Sequence, residues 1–473
     1  MLRLIIRKEL HDNFLNVRFL AACAISLVLI LASIVVLARS EGERERDYQS
    51  RVAEQEDFVD HFSHWNRLSW MSQQRREPSH LRALVLGIDD EAQQENFISN
   101  PLPVLLSRLD FVSIVTIVMS LIAILFSYNA ICGEREAGLL RLLLASGVPR
   151  RKLLVGKFLG GLISVTVPFT ISVLAGLIVL ALSPSLQLEP ADFAVFGALL
   201  LASYLYVAAF FAIGLLFSAS SQTSGQAILK SLFAWVILVL VIPNISPFLA
   251  AQLSPIPSAA KTAQEIDQIV DRERDQIVAR RSKELIESNY PDLRELTSLP
   301  QAAVVERLAA SPTLRERYKQ FSQAQSDLLA SINKDQQAKA EKIEADFQKR
   351  SDAQEDLARV FTSASPYANF VFIATDLTET GIASEAHWRE QAGEYSRALG
   401  SFADARYKKE MEKNPAYSFN DYLDLRDRPR FHYEPASFAV RFGPNLVQWG
   451  VLAVFVLVFF MIAYARFHRY DVR

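Results

Sequence analysis

The chain has 473 residues, of which 51% are hydrophobic, and its formal net charge at pH 7 is −2. Its two cysteines, Cys23 and Cys132, lie in or beside apolar runs, which excludes a disulfide framework for the polar parts of the chain. The apolar residues are collected in long blocks without charged side chains. A membrane is crossed by about 20 apolar helical residues, and a charge at the helix centre costs about 2.5–3.5 kcal/mol. The blocks therefore predict membrane-spanning helices.

Six blocks are long enough to cross a membrane. The uncharged stretches are residues 19–37, 111–132, 158–182, 193–217, 231–247 and 446–465. With their flanks we assign spans at 19–38, 111–132, 158–183, 192–218, 229–250 and 446–466. The first block resembles a signal peptide, but its apolar run and the segment before it are both too long for one. We therefore expect an α-helical polytopic membrane protein with six transmembrane helices.

The positions of Lys and Arg predict the orientation of these spans. Basic residues are concentrated before the first span, in the loop 133–157, at Lys230 and in the tail 467–473, whereas the loop 184–192 has none. Short loops rich in Lys and Arg stay in the cytoplasm. We therefore expect both termini in the cytoplasm, with the chain in the cytoplasmic membrane. Segments 39–110 and 251–445 then lie outside the cell membrane.

Residues 1–18 precede the first span and mix apolar with charged side chains. Leu2, Ile5, Ile6, Leu10 and Phe14 follow helical spacing. This pattern favours an amphipathic helix lying on the cytoplasmic leaflet. The alternative is a helical extension of the first span.

The two long polar segments differ in character. Segment 39–110 is too short and too poor in apolar residues to predict an independent domain, whereas segment 251–445 predicts a mostly helical domain. Within it, residues 313–362 contain neither Gly nor Pro, and an imperfect heptad-like seam includes Leu314, Tyr318, Phe321, Leu328 and Ile332. The seam indicates either a coiled coil or an amphipathic helix packed on a compact domain.

Span five ends in a segment that contains two prolines. Pro243, Asn244 and Pro247 are followed by about a dozen uncharged residues, which predicts a helix break or a re-entrant piece at the outer leaflet. A simple end of the span is the alternative.

Residues that would supply chemistry are scarce. Gly156-Lys157 is followed by Phe158, so the phosphate-binding loop of nucleotide hydrolases is missing, and so is His-Glu-x-x-His. The spans offer almost no ionisable residue for ion coupling. We therefore expect a chain that is not an enzyme, binds no cofactor and draws its energy from another subunit.

One weak candidate for a metal site remains. Asp57, His61 and His64 would share one face of a helix and so could hold a metal ion. A solvated polar face explains the same spacing better, and we expect no metal.

A short charged stretch, residues 131–161, separates spans two and three. It reads ICGEREAGLLRLLLASGVPRRKLLVGKFLGG. Its leucines predict an apolar stripe on one helix over 134–147, formed by Leu139, Leu140, Leu143 and Leu144. Gly147 suits the left-handed end of this helix, and Pro149 suits the first position of the next. The alternative is a hairpin whose basic residues only set the orientation.

This stretch resembles the segment after the second span in ABC-2 type transporter permeases. The resemblance extends to the N-terminal RKEL, to LFSASSQTSGQAILKSLFAWVILVLVIP at 216–243, to SPYANFVFIATDLTETG at 365–381 and to the ending RFHRYDVR. It covers most of the chain and is weak over 258–360. The most similar branch has large extracytoplasmic insertions and is described as multicopper enzyme maturation type permeases.

The resemblance implies a membrane subunit whose cytoplasmic coupling helix contacts a separate ATPase. The residues that it implicates are Glu134, Arg135, Glu136, Gly138, Leu139, Arg141, Leu143, Gly147 and Arg150. It also implies two ATPase subunits, which hold ATP and Mg²⁺, and a second permease chain of the same or a related kind. Membrane lipid and an extracytoplasmic protein are further expected partners, and nucleic acid is not.

Three functions are compatible with these features. The first is the permease of an ATP-driven exporter. The second is a subunit whose outer domain acts on an extracytoplasmic partner without transport, and the third is a membrane receptor or scaffold.

Overall fold

A computed structural model describes residues 2–64, 74–87, 109–182, 188, 190–296, 304, 307–308, 310–413 and 421–469. Within these ranges the chain is helical and has no strand longer than a single bridge, His64 with Tyr422. Two compact units are present. Unit 1 comprises Met1–Pro243 and Thr362–Arg473, and unit 2 comprises Asn244–Phe361.

Among the residues that the structure describes, six helices are long and apolar enough to cross a membrane, which confirms the predicted fold class. They run over Val17–His61, Phe111–Glu136, Arg150–Ala181, Pro190–Ser220, Ser224–Leu253 and Phe438–His468.

For the description below we number the helices in chain order. Before the third span lie α1 (Leu2–Phe14), α2 (Val17–Phe62), α3 (111–127), α4 (Cys132–Glu136) and α5 (Leu139–Ala145). The next five are α6 (Arg150–Ala181), α7 (Pro190–Ser220), α8 (Ser224–Leu253), α9 (259–289) and α10 (Pro312–Thr362). The last four are α11 (Pro366–Leu377), α12 (Ile382–Lys413), α13 (Phe438–Phe442) and α14 (Leu446–His468).

The N-terminal helix is separate from the first span. Helix α1 ends at Phe14. The Oδ1 atom of Asn16 accepts a hydrogen bond from the backbone N–H of Arg18 (3.0 Å), which caps the start of α2. α1 instead packs along α6. A Cβ atom added at Gly156 would lie 2.5 Å from Ile5 Cγ2, and one at Gly160 would lie 2.8 Å from Glu9 Cβ. The alternative of an extended first span is therefore wrong, while the position of α1 on the leaflet stays a prediction.

The first span extends far beyond residue 38. α2 is a single helix of 46 residues, so the first third of segment 39–110 is its continuation. Residues 39–62 contain one Gly and no Pro, and nothing in them ends a helix. The distal half is packed in unit 1, where Val59 lies in a small core with Ala403, Leu423 and Leu425.

The predicted break at the end of span five is absent. α8 continues through Pro243 and Pro247 to Leu253. A π-helical turn, Val236–Val241, ends two positions before the first proline. Proline has no N–H to donate and its ring crowds the preceding turn, and a π-bulge is a local way to absorb both defects.

Segment 251–445, which we expected to be one domain, is divided between the two units. Residues up to Phe361 belong to unit 2, and those from Thr362 belong to unit 1. In unit 2 the helix expected over 313–362 is α10, with 51 residues. Its Phe321 is buried with Leu293 and Leu296, and the ring of Tyr290 lies 5.4 Å away. These contacts favour a helix packed on a compact domain over a coiled coil.

The main core of unit 1 surrounds α7. Tyr206, Phe210 and Phe211 are fully buried there, and Tyr206 Oη donates to the carbonyl oxygen of Thr116 (2.9 Å). α11 reaches the same core, since the ring of Phe370 lies 5.2 Å from that of Tyr206. The segment after α10 therefore returns to the spanning helices before α12 begins.

The close approach of α1 to α6 leads to a prediction. Replacing Gly156 by Ala should destabilise the protein by about 1–3 kcal/mol, because the added methyl group overpacks the contact with Ile5. Gly197→Ala on α7 is the matched control, since nothing lies within 4 Å of a Cβ atom there and alanine favours a helix by up to about 1 kcal/mol. Thermal unfolding in detergent and the rate of tryptic cleavage in α1 measure the difference. Equal stability of the two variants would contradict the packing described.

Candidate functional site

The stretch between spans two and three forms two short helices where we expected one. α4 ends at Glu136, and α5 begins at Leu139 after Gly138, whose φ of +72° is left-handed. All four leucines of the predicted stripe lie after Gly138, so their spacing carried no information about this break. Gly147 has a φ of +79°, as its predicted role requires. Pro149 is the N-cap of α6, one position earlier than predicted.

A buried ion-pair network connects this stretch to α1 and α6. The Nζ atom of Lys157 donates to Oε1 of Glu9 and to Oε1 of Glu134, both at 2.8 Å. The Lys157 side chain is only 3% exposed, and the two carboxylates are 16% and 15% exposed. Lys8 lies 3.8 Å from the same oxygen of Glu134. We refer to Glu9, Glu134 and Lys157 as the Lys157 triad.

The remaining charges of α4 bind the turn between α7 and α8. Arg135 Nη1 donates to the carbonyl oxygen of Ser221 (2.8 Å). Glu136 accepts from the backbone N–H of Ser224 (3.0 Å) and from its hydroxyl (2.5 Å). Ser224 is the first residue of α8, so this carboxylate sits at a helix N-terminus, where negative charge is stabilised.

The two acidic residues of α4 differ in position. Glu136 is the last residue of α4, so the N-terminus that stabilises its charge is that of α8, whereas Glu134 lies in the first turn of α4 itself. The last turn of α7 also holds the start of α4, because Ser218 Oγ accepts from the backbone N–H groups of Ile131 (2.9 Å) and Cys132 (3.2 Å).

The leucines of α5 divide into a packed face and an exposed face. Leu140 is fully buried in a small core that contains Leu153, Leu154 and Phe467. Leu143 and Leu144 are half-buried. Leu139 is 52% exposed and Leu142 is 74% exposed. Of the predicted apolar stripe, Leu140, Leu143 and Leu144 are therefore packed, whereas Leu139 is exposed.

Leu142 is the residue that sequence reasoning missed. It follows Leu139 at the i, i+3 spacing, which places both on one face of a helix, and this spacing was the available signal. Arg141 is also exposed, and no described group bonds to its guanidinium. Arg150 is engaged, since its Nη1 donates to the carbonyl oxygen of His468 at the end of α14. We call Leu139, Arg141 and Leu142 the α5 tip.

The residues of the weak metal candidate do not share one helical face. Asp57 and His61 face each other on α2, with His61 Nδ1 3.3 Å from Asp57 Oδ1. His64 lies past the helix end and is bridged to Tyr422. Among the residues that the structure describes, no three His, Cys, Asp or Glu side chains form a group that could hold a metal ion.

Comparison with known proteins agrees with this architecture. The chain matches the family described as ABC-2 family transporter protein over residues 3–472. It belongs to this family.

Two curated relatives are similar over part of their length. The probable ABC transporter permease protein NosY of Pseudomonas aeruginosa is 39% identical over 120 residues, which cover 24% of this chain and 44% of that protein. The protein of the same name from Stutzerimonas stutzeri is 36% identical over 134 residues, or 27% and 47% of the two chains. The matched region is thus less than half of each relative.

Membership of the family has a direct consequence for this ABC-2 chain. It is a membrane protein of the ABC-2 permease family.

The Lys157 triad leads to a prediction about stability. Lys157→Met should destabilise the protein by about 3–5 kcal/mol, because it leaves the mostly buried Glu9 without its cation and Glu134 with only the more exposed Lys8. The triple variant Glu9→Gln, Glu134→Gln, Lys157→Met removes all three charges and should recover most of that loss. Thermal unfolding of the purified variants measures both. A Lys157→Met protein as stable as the native one would show that the triad is not formed.

Proposed function

We propose that this chain is the permease of an ATP-driven transporter in the inner membrane of a bacterium, and that a separate ATPase binds at the α5 tip. The observation that carries this proposal is the exposure of Leu139 and Leu142 on a short helix between two span ends. Basic residues flank α5 on both sides, at Arg135 and at 150–152. Such a loop stays on the cytoplasmic side of the membrane, so the tip is available to a cytoplasmic protein.

The packing behind the α5 tip supports a coupling role. Leu140 anchors α5 to α6 and α14, and the Lys157 triad anchors α4 to α6 and α1. Arg135 and Glu136 anchor α4 to the start of α8. A force on the tip would therefore reach four other helices through buried or hydrogen-bonded contacts. ATP-driven closure of the ATPase would act on the spans in this way.

The assembly that follows has several components. Two ATPase subunits hold ATP and Mg²⁺, and two permease chains, identical or related, form the membrane part. Both termini of this chain lie in the cytoplasm, and lipid surrounds the spans. An extracytoplasmic protein is a further partner of the polar segments.

The proposed binding of the ATPase to the α5 tip can be tested by introducing one charged residue there. Leu142→Asp should raise the Kd for the ATPase about 10- to 100-fold, because a leucine at the centre of an interface contributes on the order of 1.4–2.8 kcal/mol. Arg141→Glu should weaken binding as well, through altered charge complementarity. Binding of purified ATPase to the reconstituted permease, and ATP turnover of the complex, are the measurements.

Leu4→Asp is the matched control, since Leu4 is 69% exposed on α1, outside the tip. This variant should bind the ATPase normally. Glu136→Arg is a poorer test, because it also removes the contact with the start of α8. If Leu142→Asp and Arg141→Glu both retain native affinity while inserting normally, the ATPase does not bind here.

Orientation is tested by labelling. In a background without Cys23 and Cys132, single cysteines at Ser146 and at Lys334 should react with an impermeant maleimide from opposite faces of sealed vesicles. The cysteine at position 146 should be reached from the cytoplasmic face. Reaction of both positions from one side would refute the proposed topology.

A further inference from the structure

The exposed face of α14 ends in two arginines. Arg466 lies in the last turn of the helix and Arg469 is its C-cap, and both side chains are exposed. Within the described ranges of the chain, no group bonds to either guanidinium. Arg150 brings a third cation to the same place, since its Nη1 donates to the carbonyl oxygen of His468. This end of α14 is therefore strongly basic.

The two arginines share a groove with apolar side chains. Met461, Ile462 and Ala465 line it together with them, and its volume is about 340 Å³. Met461 is 59% exposed and Ile462 is 42% exposed. Because all five residues belong to one short stretch of one helix, apolar surface and positive charge lie side by side. A ligand that fits this groove is therefore both apolar and anionic.

Apolar surface continues from this groove towards the middle of the span. A second groove on α14, of about 440 Å³, has no charged residue in its lining and includes Val454, Val458 and Phe459. Val454 precedes Arg466 by 12 residues, which is about 18 Å along the helix axis. The hydrocarbon of one leaflet is about 15 Å deep, half of the bilayer core. An acyl chain whose headgroup lies at Arg466 therefore reaches the second groove.

A second copy of this chain fits the basic end of α14 poorly. Two permease chains in one membrane have the same orientation, so residues at one depth face residues at the same depth across a two-fold axis. Arg466 and Arg469 would then meet the same two arginines of the copy. Like charges that face each other weaken an interface. A lipid with a negative headgroup has the complementary charge.

We propose that the end of α14 is a binding site for one anionic phospholipid, such as phosphatidylglycerol. The lipid phosphate accepts hydrogen bonds from Arg466 and Arg469, because planar guanidinium groups suit phosphate oxygens. One acyl chain lies against Met461 and Ile462 and continues over Val458. The binding rests on α14 alone. Only its assignment to the cytoplasmic leaflet, where anionic lipids attract basic segments, rests on the orientation proposed above.

The test uses the full-length protein, purified in detergent and delipidated. Native mass spectrometry should show one dioleoyl-phosphatidylglycerol retained per chain. The Kd of dioleoyl-phosphatidylcholine should be about tenfold higher or more, because its choline group cancels the phosphate charge. Arg466→Gln with Arg469→Gln should weaken phosphatidylglycerol binding about 25-fold, since each arginine contributes about fivefold. Arg466→Lys with Arg469→Lys keeps both charges and should lose no more than about fivefold.

Arg3→Gln with Arg7→Gln is the matched control for charge. Both arginines are exposed on α1, and the variant removes the same amount of positive charge from the protein. It should bind phosphatidylglycerol like the native chain.

A third variant tests the apolar part of the groove. Ala465→Trp keeps both arginines and fills the groove, so it should weaken binding about tenfold, because about two methylene groups of the acyl chain lose their contact. It also tests the site if the glutamine pair fails to fold. Leu446→Trp is its control, since Leu446 is 59% exposed at the opposite end of α14.

Three results would overturn the proposal. Equal affinity for the two lipids would show that the arginines do not bind the headgroup. Displacement of the lipid by millimolar inorganic phosphate, with no effect of Ala465→Trp, would show a site for free phosphate. Efficient cross-linking between two copies that carry Met461→Cys, in a background without Cys23 and Cys132, would show that a second chain covers the groove. None of these measurements involves the ATPase, so they stand apart from the proposed coupling function.

Discussion

Lys157 carries its positive charge into an almost fully buried position, and the arrangement of three helices depends on how that charge is compensated. One carboxylate comes from α1 and the other from α4, and both meet the ammonium at 2.8 Å. A buried charge is tolerated only with a close partner of opposite charge. If α1 or α4 moved away from Lys157, a buried charge would be left unpaired, at a large cost in free energy. The glycines of α6 complete this arrangement by letting α1 approach near enough for Glu9 to reach the lysine.

The α5 tip has the opposite character. Its neighbours are anchored by ion pairs, by hydrogen bonds to the α7–α8 turn and by the core around Leu140, whereas Leu139 and Leu142 are left in the open. Apolar side chains on a rigid support are well suited to form the centre of an interface, because little conformational freedom is lost when a partner binds. In the function that we propose, the ATPase would bind at this surface.

The spans and the long helix α10 were predictable because each depends on local composition. A long block without charged residues predicts a span, and a long stretch without Gly or Pro predicts a helix, and both can be recognised in the sequence without knowledge of the fold. The partners of the charged stretch were not predictable in the same way. Glu134 meets Lys157 only through the fold, and Glu136 meets Ser224, which is 88 positions away. The kink at Gly138 was missed because every leucine of the predicted stripe lies after it. Helix α8 continues past Pro243 just after a π-helical turn, which the sequence did not reveal.

The length of α2 has a mechanical consequence. Its 46 residues extend over about 69 Å at 1.5 Å per residue, roughly twice the thickness of the hydrocarbon layer. In the coupling function that we propose, such a helix would act as a stiff rod that crosses the bilayer. A small tilt of the portion that packs against α6 then becomes a displacement of several ångströms at the far end, where Val59 lies against Ala403 and Leu423. A small movement of α6 near Lys157 would thus produce a larger movement at the far end of α2, because α2 is continuous from Val17 to Phe62.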